Sequence, residues 1–188
     1  MVWSCLVSIL PGMAQTEKLT DYVNPFVGTD GYGNVYPGAQ IPFGGIQISP
    51  DTDSRFYDAA SGYKYNHLTL MGFSLTHLSG TGIPDLGDFL FIPGTGEMKL
   101  EPGTHEDPDQ GYRSRYSHDK EWASPNYYAV ELADYGVKAE MTSGVRSGMF
   151  RFTYPESDNA FIMIDMNHTL WQSCEWSNLR IINDSAIT

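Results

Sequence analysis

The sequence predicts an all-β chain, an antiparallel sandwich or barrel, on three observations. Apolar and polar residues alternate with period 2 through the second half. Glycine and proline break up the first half, and no amphipathic helix of ordinary length fits between them. Strand-like pieces recur at roughly ten-residue spacing, as in sandwiches and barrels. The 188 residues are 41% apolar and 18% charged, a composition that supports one folded domain with a real core.

Taken in order, Met1 to Thr16 carry no charged side chain. This apolar run is broken by Pro11 and Gly12, too early to span a bilayer. Residues 1–15 read as a secretory signal without a basic start, with Gly12-Met13-Ala14 as the small-x-small end. That predicts export to a periplasmic or extracellular location with no transmembrane segment, and it leaves Cys174 as the one thiol, with no partner for a disulfide. Between Pro25 and Pro50, ten of 26 residues are Gly or Pro. Only short extended pieces fit there, such as Gln40 to Ser49, where Gly44-Gly45 signals a bulge or a close backbone approach.

Later segments alternate strictly. Tyr128, Val130 and Leu132 share one face of a strand, Val137, Ala139 and Met141 one face of the next, and Phe150, Phe152 and Tyr154 one face of a third. Asp134-Tyr135-Gly136 and Ser143-Gly144 supply the turns. Ala160 to Met166 reads as a more deeply buried strand, and Arg180 to Thr188 as a strand entering a turn with no terminal cap, the mark of a truncated chain.

Eleven basic residues against 23 acidic ones give a formal charge of −12, which argues against nucleic acid, because phosphate binding needs clustered Lys and Arg. Twelve tyrosines, nine phenylalanines and four tryptophans in so acidic a chain suit a neutral polar ligand such as a sugar. Metal signatures fail. Asp51-Thr52-Asp53-Ser54-Arg55 opens like a calcium loop but puts Arg55 at a ligand position, and the five histidines have no zinc spacing. Phosphate loops fail too, since Gly80-Thr81-Gly82 runs into Ile83-Pro84-Asp85.

Asp85 and Asp88, three apart in a Gly-rich turn, are a possible carboxylate pair. Turn-borne Asp more commonly binds neighbouring backbone N–H groups, so no catalytic residue is assigned. The sugar-facing candidates are a patch: Tyr57 and Asp58, His77, the Ser79-Gly80-Thr81-Gly82 turn, and Asp85 with Asp88. Flat aromatic faces with a few directed polar groups are what sugar sites need.

Several motifs then occur together: Tyr22-Val23-Asn24-Pro25-Phe26-Val27-Gly28-Thr29, Tyr36-Pro37-Gly38-Ala39, Ile41-Pro42-Phe43-Gly44, Ser49-Pro50-Asp51-Thr52, Ser61-Gly62-Tyr63-Lys64-Tyr65, and the run from Gly72 to Gly82. Asp85-Leu86-Gly87-Asp88 and Ala123-Ser124-Pro125-Asn126-Tyr127-Tyr128 follow. In this order they resemble the N-terminal module of glycoside hydrolase family 92, over residues 21–188.

The resemblance implies a secreted, calcium-dependent, inverting exo-α-mannosidase that acts on α-mannosides such as N-glycans. It implies a β-sandwich that packs on an (α/α)6 barrel lying outside this chain, where the acid, the base and the calcium ligands belong. The chain alone is then expected to be inactive and to hold no metal. Relatives often place a sugar-lining tryptophan before the Ser61-Gly62-Tyr63 motif; here Phe56 and Tyr57 stand there, which leaves open which aromatic meets the sugar. A stand-alone lectin-like sandwich and a purely structural support module are the other readings.

Overall fold

Alternating segments pair by backbone hydrogen bonds into two four-stranded antiparallel sheets in the computed structural model, which describes residues 17–54 and 59–188. The expected signal at 1–15 and the candidates Tyr57 and Asp58 lie outside the described residues. The strands in chain order are β1 (Ser49–Asp51), β2 (Thr69–Leu70), β3 (Gly72–Ser74), β4 (Leu90–Thr95), β5 (Ser114–Arg115), β6 (Glu121–Ser124), β7 (Tyr127–Leu132), β8 (Val137–Ser143), β9 (Gly148–Thr153), β10 (Ala160–Asp165), β11 (Ile181–Asn183) and β12 (Ala186–Ile187).

One sheet runs β1-β3-β4-β10; the other is the meander β6-β7-β8-β9. β2 pairs with β5, and β11 with β12 as the C-terminal hairpin that the turn at Asp184-Ser185 implies. Helix among the described residues is limited to single 3-10 turns, the longest being Leu19–Tyr22. No described helix is long and apolar enough to cross a membrane.

Period-2 alternation did the folding it predicted. Tyr128, Val130, Leu132, Val137, Ala139 and Met141 are buried and share one core with Ile48, just before β1, and with Phe73 of the other sheet. The Phe73 ring lies 6.4 Å from Phe150 and 6.3 Å from Phe152, so aromatic contact across the two layers closes the sandwich. In the β6–β7 turn, Asn126 adopts a left-handed φ of 61°, and its side chain binds the Ser143 backbone through both of its ends.

Two elements differ from the sequence reading. Ala160 to Met166 was expected to be deeply buried. Instead β10 is the outer strand of its sheet, paired only with β4, and Ile162 is 52% exposed. Continuous apolar sequence means burial on both faces only for a central strand. Gln40 to Ser49 is not one strand: residues 41–44 turn, Phe43 is fully exposed at φ 61°, and pairing resumes at the Ala39–Ile48 bridge. The close approach expected at Gly44-Gly45 is present, for the Gly45 N–H donates to the Val145 carbonyl at 2.8 Å.

Candidate functional site

Three buried carboxylates, Asp51, Asp53 and Glu121, have histidine partners. Asp51, the last residue of β1, is fully buried between two imidazoles. Nε2 of His77 lies 2.8 Å from Oδ1, and Nε2 of His168 lies 2.7 Å from Oδ2. Burial pushes this carboxyl up, but His77 and His168 outweigh it and hold it below the usual carboxylate range. His77 also donates from Nδ1 to the Gln47 carbonyl at 2.7 Å, and Ser74 Oγ sits 3.0 Å from its Nε2.

Two further carboxylates repeat the pattern. Asp53 Oδ2 meets Nε2 of His105 at 3.1 Å. Glu121 accepts from the Tyr63 and Tyr128 hydroxyls and lies 2.6 Å from Nδ1 of His118. Burial raises both phenols well above their ordinary value, so they remain donors.

His168 opens onto space. After β10, residues 167–172 cross the sandwich end, tied at one side by Leu170 N–H to the Leu86 carbonyl (2.7 Å) and at the other by Trp171 N–H to the Ser54 carbonyl (3.0 Å). This path forces Trp171 to φ 77°, a conformation that a bulky side chain rarely adopts and that recurs at ligand sites. The crossing forms the wall of a cavity of about 460 Å³, lined by Ser54, Tyr112, Asp165, Asn167, His168 and Trp171 among others. That volume falls in the ~300–1,000 Å³ range of small-molecule sites. Trp171 is 57% exposed. The Tyr112 hydroxyl donates to Asp165 Oδ2 at 3.2 Å, which leaves the carboxylate further acceptor capacity toward the cavity. A second cavity of about 310 Å³ lies against the same His168, lined also by Asp88, Cys174 and Trp176.

The structure divides the sequence candidates. Ser79, Gly80 and Gly82 are exposed, with Thr81 half-buried and bonded to the Ile83 carbonyl. Asp85 accepts from the Leu86 N–H (2.8 Å), the local bonding expected of a turn carboxylate, whereas Asp88 accepts from the hydroxyl of Thr76, twelve residues away (2.8 Å). Asp88 shares the smaller cavity with His168. The His77 side chain is closed off inside the fold, with both nitrogens engaged, so it reaches cavity space only through Asp51. Tyr57 and Asp58 follow Ser54, which lines the larger cavity.

Sequence reasoning missed Asp51, Asp165, His168 and Trp171 as site residues. The available signal was the polar-aromatic run Asn167-His168-Thr169-Leu170-Trp171-Gln172.

Calcium does not fit this chain's described residues. Both oxygens of Asp51 and of Glu121 are taken by imidazole and phenol groups, and no three His, Cys, Asp or Glu side chains among the described residues converge on a metal position.

Residues 22–188 match the glycosyl hydrolase family 92 N-terminal domain. Among solved structures, the chain is 99% identical to the family GH92 alpha-mannosidase BT3965 from Bacteroides thetaiotaomicron, with a TM-score of 0.90 over 91% of this chain and 23% of that one. The same enzyme is also solved in complex with mannoimidazole. The family GH92 inverting mannosidase BT2199 from the same bacterium is 29% identical, with a TM-score of 0.64 over 80% of this chain and 20% of its own. A secreted glycosidase of uncharacterised activity from Arthroderma benhamiae is 30% identical over 139 residues, 73% of this chain and 17% of its own. The chain thus spans under a quarter of the length of these relatives. It belongs to glycosyl hydrolase family 92, of which it is the N-terminal domain, an all-β unit without the catalytic domain of those mannosidases.

Proposed function

We propose that this chain forms part of the sugar-binding wall of a secreted, calcium-dependent, inverting exo-α-mannosidase that acts on α-mannosides such as N-glycans. The observation that carries the reading is the cavity of about 460 Å³ where the Trp171 indole stands beside Asp165, Asn167 and His168. A flat aromatic face takes the C–H face of a pyranose, and directed acceptors take its hydroxyls. Tyr57 and Asp58, which follow Ser54 in the sequence, remain candidates for further sugar contacts. Asp88 lines the adjoining cavity, and the Ser79-Gly80-Thr81-Gly82 turn and the exposed Asp85 are the remaining candidate contacts.

The chain's part is to bind, orient and exclude water. Inversion needs two carboxylates about 6.5–9.5 Å apart across the scissile bond. Asp85 and Asp88 are instead exposed, Asp85 held by the Leu86 N–H and Asp88 by the Thr76 hydroxyl, so the acid and the base belong to the rest of the enzyme, as do the calcium ligands. Export is supported by the uncharged start of the sequence and by the secreted relative.

The test has two arms. The purified chain is expected to release no mannose from an α-mannoside, with or without calcium. In the full-length enzyme, Trp171→Ala and Asp58→Ala are each expected to lower kcat/KM roughly tenfold, about 1.4 kcal/mol, at unchanged unfolding midpoint. Mannose release by the pure chain, or wild-type kinetics in both variants, overturns the reading.

A further inference from the structure

The proton inventory around Asp51 goes further than the sugar-wall reading on which it rests. Nδ1 of His77 faces the Gln47 carbonyl at 2.7 Å, which can only accept, so this nitrogen carries hydrogen. Nε2 of the same ring is 2.8 Å from Asp51 Oδ1, and two lone pairs cannot face each other at that distance. A proton therefore lies between them. Nε2 of His168 is 2.7 Å from Oδ2, and the same argument puts a proton there, on the imidazole. With Asp51 ionised and His77 cationic, the buried pair is neutral. A second cation at His168 would leave a net charge in the interior, which is costly. His168 is then a neutral ring protonated at Nε2.

The consequence falls on the other nitrogen. Nδ1 of His168 makes no hydrogen bond among the described residues and is not among the enclosed side-chain nitrogens there, while its ring lines both cavities. We propose that Asp51, set by His77, locks His168 in the Nε2–H tautomer, so that its bare Nδ1 accepts a hydroxyl proton from a neutral polyol ligand in the cavity beside Trp171. Asp51 and His77 are thus positioning residues, and His168 is a ligand contact that selects a hydroxyl donor. A ligand lacking that hydroxyl leaves a partly buried acceptor unpaired, which is how buried polar groups discriminate. The lock spans the molecule, since Asp51 lies in β1 and His168 follows β10 at the far end of the same sheet.

The tautomer is readable without turnover. Long-range ¹⁵N–¹H spectra of the histidine-labelled chain at pH 7.5 are expected to show His77 protonated on both nitrogens and His168 protonated on Nε2 alone. Titration with methyl α-mannoside is expected to shift the His168 Nδ1 resonance together with the Trp171 indole signals. In Asp51→Asn, His77 is expected to lose its second proton and His168 its single-tautomer pattern. The wild-type spectrum decides on its own, so a poorly folded variant leaves the test intact. A proton on Nδ1 of His168 overturns the proposal whatever the sugar does. Trp171 signals that move while Nδ1 does not would leave the sugar wall standing and remove His168 from it. If the sugar moves neither, the acceptor role fails along with the wall.

Discussion

At Asp51, one carboxylate serves two imidazoles, and its removal strands a buried cation. Asp51→Ala is therefore expected to cost about 3–5 kcal/mol, the usual penalty for breaking a buried pair, read as a lower urea midpoint at pH 7. The pH dependence has a definite sign. A carboxyl held below its unfolded value of about 3.9 contributes stability that is complete above that pH and is lost as pH falls below about 4 toward the folded value. Glu140, held at about 2 by its hydrogen bonds from Arg151 and Tyr127, adds a limb of the same sign on the outer sheet face. Urea midpoints at pH 7, 5, 4 and 3 should fall steeply for the wild type and less so for Asp51→Asn; equal slopes would refute the ionic account. Gly62 belongs to the same cluster. Its φ is 85°, and an added Cβ would stand 2.1 Å from Asp51 Oδ1, so Gly62→Ala is expected to cost more than about 1 kcal/mol, from backbone and carboxylate together. Little of this cluster was legible in sequence. The Ser49-Pro50-Asp51-Thr52 and Ser61-Gly62-Tyr63 motifs mark two of its pieces. The third, His168, is 117 residues from its carboxylate, and no local spacing encodes a contact that only strand order creates.

At the scale of elements, the alternation in β7, β8 and β9 could be read because each has one face on the core and one in water, so side-chain period and burial coincide. The contrast is testable along one pair of strands. Phe73 of β3 is completely buried against Phe150 and Phe152, and Phe73→Ala is expected to cost about 3–5 kcal/mol. Met149 of β9 points the other way and is exposed; Met149→Ala is expected to stay within about 0.5 kcal/mol. Chemical denaturation of both variants checks the pair, and a large loss at Met149 would mean the outer face of β9 is packed in solution. β10 defeated the same logic, because Phe161, Ile162, Met163 and Ile164 are apolar on both faces although the strand has one neighbour. The residues around 167–172 were legible only as composition, since their path is fixed by two distant backbone bonds, to Ser54 and to Leu86, rather than by any local pattern.

Across the whole molecule, the apolar faces of β10 and of the C-terminal segment compete with the charge. Leu100, Ile162, Ile181 and Trp176 are all more than half exposed, and β9 and β10 are the outer strands of their sheets. Unpaired strand edges beside exposed apolar side chains are templates for association. A net charge of −12 opposes it by repulsion between copies, and salt screens that repulsion, with a Debye length near 10 Å at 0.1 M falling to about 3 Å at 1 M. The two effects predict an unusual direction. Light scattering of the chain should give a mass near 21.0 kDa at low salt and a rising mass as salt is added, the reverse of an ion-paired dimer. Ile162→Lys, which puts a charge on the outer strand without touching the core, should hold the mass near 21.0 kDa at high salt. In the full-length enzyme, where the proposed barrel would cover this face, the same salt series should change nothing. A chain that stays monomeric at every salt concentration would show that these apolar residues are tolerated by water as they stand and that the face needs no cover.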